Sequence, residues 1–162
     1  MATKADFTAD EWTKLIESPM LVGMAISASE PSGLWGLLQE GFSGARQLAD
    51  GRTSDSALIK AIVDDLATSE GRTLARDALQ TRFKGAQSAE IVSRSIDSLR
   101  DVTQILDSKA GSDAASMKSW LYAHAERVAN SASEGGFLGF GGQKVSDNER
   151  ATLSQISQAL SV

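Results

Sequence analysis

The chain has 162 residues, 41% of them apolar and 23% charged, with a formal net charge of −5 and no cysteine. These proportions suit a globular chain with a single core and exclude a disordered one. An acidic surface repels a nucleic-acid backbone, and without cysteine there is no disulfide, no thiolate nucleophile and no Cys-held zinc or iron–sulfur centre.

In chain order, the opening segment MATKADFTADEW lacks the apolar run of a signal peptide, so the expected location is the cytoplasm. Thr8 and Glu11 have the spacing of a capping box, and Phe7 and Trp12 that of a hydrophobic staple, which predicts a first helix from residue 9. Ser18-Pro19 reads as the cap and first residue of a second, short helix, PMLVGMAISAS, apolar nearly all round and therefore buried. Its apolar run, 20–28, is too short to span a bilayer. After the break at Pro31-Ser32-Gly33, Leu34, Leu37, Leu38, Phe42, Ala45 and Leu48 predict a third helix, with Gly51 as its left-handed terminator.

Thr53 or Ser54 then starts a fourth helix with the stripe Leu58, Ile59, Ile62, Val63 and Leu66. Thr68 or Ser69 starts a fifth, with Leu74, Ala75, Ala78, Leu79 and Phe83 inward and Gly85 as terminator. Ser88 is the expected cap of a sixth, whose stripe is Val92, Ile96, Leu99, Val102 and Leu106. Beyond the break SKAGSD, Ser112 opens a seventh with Met117, Leu121, His124 and Val128 on one face. Ser146 and Glu149 form a second capping box before an eighth, lined by Leu153, Ile156 and Leu160. No strand-like alternation is sustained, so the expected fold is all-α: one domain over 1–162, a compact bundle of about seven or eight short helices, with a glycine-rich hinge at 134–144 before the last.

The hinge, EGGFLGFGGQKVSDNE, raises the question of chemistry. A phosphate loop needs G-x-x-x-x-G-K-[ST] after a strand, and here Lys144 is displaced and followed by Val145. Glu134, Asp147 and Glu149 are the candidate metal ligands, although their span departs from an EF-hand loop. The docking reading has Phe137, Leu138 and Phe140 pin the loop to the bundle while the glycines let it turn.

His124 is the lone histidine and has no H-x-x-x-H or E-x-x-H pairing, so its expected role is a partly buried residue satisfied by a neighbour. Asp64 and Asp65 are expected to face solvent and Glu70 to favour a helix start. Arg94, Arg100, Lys118 and Arg127 are the residues available for a local basic patch. No G-x-S-x-G elbow occurs, and the chain is expected not to be an enzyme.

The run Gly141-Gly142-Gln143-Lys144-Val145-Ser146-Asp147-Asn148-Glu149, followed by Leu153, Ile156 and Leu160, resembles an element of the TerB-like tellurite-resistance family. That resemblance implies an all-helical, acidic, bacterial stress-response protein, some relatives of which hold divalent metal through acidic residues. Where the family's turn carries an acidic residue, this chain carries Gly141-Gly142.

The leading expectation is a non-enzymatic bacterial helical interaction protein without a cofactor. Its candidate partner-binding residues are Met20, Met24, Phe137 and Phe140, because methionine-rich apolar surfaces adapt to partners. The expected partner is another protein, with self-association as one form of it, and neither nucleic acid nor a membrane span is expected. The alternative is a TerB-like acidic metal-binding stress protein holding a divalent ion such as calcium.

Overall fold

A computed structural model describes residues 1–29, 50–134 and 145–162, with backbone alone over 131–134. The predicted third helix, the hinge and the side chains of Glu134, Phe137 and Phe140 lie outside the described residues. Six α-helices are described: α1 (Ala9–Ala28), α2 (Ala57–Ala67), α3 (Ser69–Phe83), α4 (Ser88–Lys109), α5 (Asp113–Glu134) and α6 (Asp147–Leu160), with a short 3-10 turn at Lys4–Asp6 before them. Among the described residues there is no strand, and the expected all-α bundle is what forms.

α1 is the axis of the bundle and packs against each of α2 to α6. Its most extensive neighbour is α4, which runs antiparallel to it. Glu11 near the start of α1 pairs with Lys109 at the end of α4 (2.6 Å), and Lys14 pairs with Asp101 further back (2.8 Å). Leu15, Ile16, Leu21, Val22, Ala25 and Ile26 of α1 are completely buried. They meet Leu58 and Ile62 of α2, Leu99 and Leu106 of α4, Met117 and Leu121 of α5, and Ile156 of α6 in one cluster.

The helix starts obey local chemistry. Thr8 Oγ1 accepts from the Glu11 amide (3.2 Å) and the Glu11 carboxylate accepts from the Thr8 amide (2.8 Å), which pairs two amides that no helical carbonyl reaches. The Phe7 and Trp12 rings lie 6.0 Å apart between centroids, as the staple spacing predicts. Ser146 and Glu149 repeat the box at α6, with distances of 3.1 and 2.8 Å. Thr68 caps α3 by accepting from the Gly71 amide (2.9 Å).

Several expectations are corrected. Ser18-Pro19 does not start a new helix, because α1 runs unbroken from residue 9 to 28. Pro19 has no amide, so the carbonyl of Leu15, four residues back, loses its helical donor. The Ser18 hydroxyl takes that place and donates to the Leu15 carbonyl at 2.7 Å. The cap of α2 is Ser56 rather than Thr53 or Ser54, and α4 starts with the Gln87 amide donating to Glu90 (2.9 Å) rather than with a Ser88 cap.

Gly51 is not a left-handed terminator: residues 50–52 are helical, and a Cβ there would sit 2.4 Å from Val63 Cγ2. It is a contact glycine, whereas Gly85 does end its helix left-handed at φ +71°. On α3 the stripe shifts, since Leu74 is 44% exposed while Gly71, Ala75, Leu79 and Phe83 are buried.

The repair at Pro19 is directly testable. Ser18→Ala should lower the unfolding free energy by about 1–3 kcal/mol, because it leaves a buried carbonyl unpaired. In a Pro19→Ala background the restored amide serves that carbonyl, and the same change should cost less than about 1 kcal/mol. Equal losses in both backgrounds, measured by urea denaturation, would show that the hydroxyl has another role.

Candidate functional site

Three polar centres stand out against this apolar core. The first is Asp113, the opening residue of α5, buried at 5% exposure. Its Oδ2 accepts from the Ala2 amide and its Oδ1 from the Ser56 hydroxyl, both at 2.7 Å. Ser56 in turn caps α2. One carboxylate therefore joins the N-terminal arm, the start of α2 and the start of α5. Burial acts to raise the Asp113 carboxyl. The bonds from Ala2 and Ser56, with the nearby amino terminus, outweigh it and hold the group below its ordinary value.

The second is Asp65 near the end of α2. Its Oδ2 accepts from the Trp12 indole (2.6 Å) and from Lys4 Nζ (2.8 Å), and Lys4 also lies 5.4 Å from the Trp12 ring centroid. Burial raises this carboxyl as well, and Lys4 and Trp12 overcome that to leave it lowered. The expectation that Asp65 faces solvent is therefore corrected, while Asp64 is exposed as read.

The third lies along the middle of α1. Glu17 is fully buried and paired with Arg82 of α3, yet its Oε2 and the Arg82 Nε have no partner. Burial is the main influence on the Glu17 carboxyl and raises it despite Arg82. His124 of α5 is only 3% exposed, and the Pro19 carbonyl of α1 faces its ring as a hydrogen-bond acceptor. Its Nε2 is buried without a partner, so the expected satisfied histidine is instead half satisfied. Burial, then the nearby Arg127 charge, depress its pKa to about 4, and the Pro19 carbonyl opposes them. The ring is neutral at pH 7.

The residues singled out from the sequence fall as follows. Met20 and Met24 sit one turn apart on α1, partly buried and packed against the core. The Asp147 side chain is fully exposed and 3.9 Å from Arg150. Glu149 is 4% exposed, with its carboxylate bonded to the Ser146 amide. Among the described residues, no three His, Asp or Glu side chains converge as a metal site would require. Arg94, Arg100, Lys118 and Arg127, the residues available for a basic patch, each meet a carboxylate of the fold: Glu90, Asp97, Asp107 and Asp50. An open groove of about 450 Å³ on α3 is lined by Ser69, Glu70, Thr73, Leu74 and Asp77, and His124 is not part of it.

Sequence reading missed Asp113, Glu17 and Arg82. The placing of Glu17 next to Ile16 and just before the apolar run 19–28 was its available signal, and Asp113 carried only the general preference for an acid in a first turn. Among the described residues no helix is long and apolar enough to cross a membrane. No protein-family model, curated protein or solved structure matches the chain. The fold and its polar centres define the class: an all-α bundle whose buried polar groups tie helices together.

His124 sets a pH dependence. Its folded pKa lies below the unfolded 6.5, so the stabilisation is complete above pH 6.5 and is lost as pH falls toward 4. Relative to a His124→Leu variant, the wild type should lose about 3 kcal/mol between pH 7 and pH 4. Glu17 titrates with the opposite sign, because its raised carboxyl is more readily protonated in the folded state, and the comparison with the variant removes it. Denaturant titrations showing parallel pH curves for the two proteins would refute the assignment.

At Asp113, replacement by Ala should cost about 3 kcal/mol, because two charge-assisted bonds are lost. Adding Ser56→Ala to that variant should cost less than in the wild type. Additive losses in the double-mutant cycle would mean that the two groups act independently.

Proposed function

We propose that the chain is a non-enzymatic helical interaction protein of the bacterial cytoplasm, with the Met20–Met24 edge of α1 as its contact surface. The observation that carries this reading is the placing of the two methionines. From Leu15 to Ala28 every residue of α1 except these two is buried, and their side chains, one turn apart, are only partly covered. Unbranched thioether side chains repack around a partner with little strain. Asp113, Asp65 and Glu149 support the same reading, because each carboxylate is engaged by hydrogen-bond donors of the fold. A cytoplasmic setting accords with the absence of cysteine.

The test is photo-crosslinking from a photoreactive methionine analogue at position 24 in the producing cell, with circular dichroism to confirm folding. One discrete adduct, lost in a Met20→Glu variant that keeps its helical spectrum, is the expected result; twice the chain mass would identify a second copy. Intrachain products alone would overturn the proposal. A thermal melt of EDTA-treated protein with calcium and other divalent ions separates the TerB-like alternative. A saturable rise lost in Asp147→Asn would replace the interaction reading with a metal-binding one. Asp147 is the informative position, since Glu149→Gln also disturbs the α6 cap.

A further inference from the structure

We draw no further inference here: the strongest candidate, the buried His124 imidazole between α1 and α5 whose Nε2 meets no partner, carries nothing beyond the acid sensitivity already derived, since no described residue beside it shows a ligand or a second conformation that its protonation would select.

Discussion

The bundle depends on α1 remaining a single helix through the core. Each of the other five α-helices named among the described residues packs against it, and six of its apolar side chains are completely removed from water. A break in the middle would separate Leu15 and Ile16 from Leu21, Val22, Ala25 and Ile26, and the surrounding helices would lose a common face. Yet the sequence places a proline at that point. Proline removes an amide and leaves a carbonyl without its donor, a cost that a buried helix cannot pass to solvent. The Ser18 hydroxyl supplies the donor from one residue away, and burial of the apolar side chains holds the helix together around the defect.

The same segment carries further polar groups of the interior. Glu17, Ser18 and the Pro19 carbonyl are consecutive, and each meets a different requirement: Arg82 of α3, the Leu15 carbonyl within α1, and His124 of α5. Buried polar groups of this kind add little net stability, because desolvation offsets their attraction. A shifted register, however, would leave a charge or a carbonyl unpaired. The half-satisfied His124 and Glu17 show where that pairing is incomplete, and burial displaces both titrations toward the neutral form.

At the periphery, acidic residues connect elements distant in sequence. Asp113 reaches Ala2 and Ser56, and Asp65 reaches Lys4 and Trp12, so the N-terminal arm is fastened at two points. Glu11 serves a cap and an interhelical ion pair at once. A substantial part of the chain's acidity is thus engaged within the fold, and Met20 and Met24 of α1 are among the partly buried apolar side chains packed against the core.

The sequence by itself determined the all-α class, the capping boxes at Thr8 and Ser146, the Phe7–Trp12 staple and the left-handed stop at Gly85, because each depends on residues within a turn of one another. It also located the core stripes of α2 and most of that of α4, where apolar period and burial coincide. Only the tertiary structure decided the rest. Pro19 reads locally as a helix start, and packing on both sides of it keeps the helix whole. Gly51 reads as a terminator, and the approach of Val63 makes it a contact. Leu74 has the right period, but no described helix covers it. The candidate site follows the same division: Met20 and Met24 were legible as a helical pair and His124 as a residue of the inner face, whereas Asp113, Glu17, Arg82 and the unpartnered Nε2 of His124 were not. Their roles rest on partners from 57 to 111 residues away, and no local pattern encodes which side chains a fold brings together.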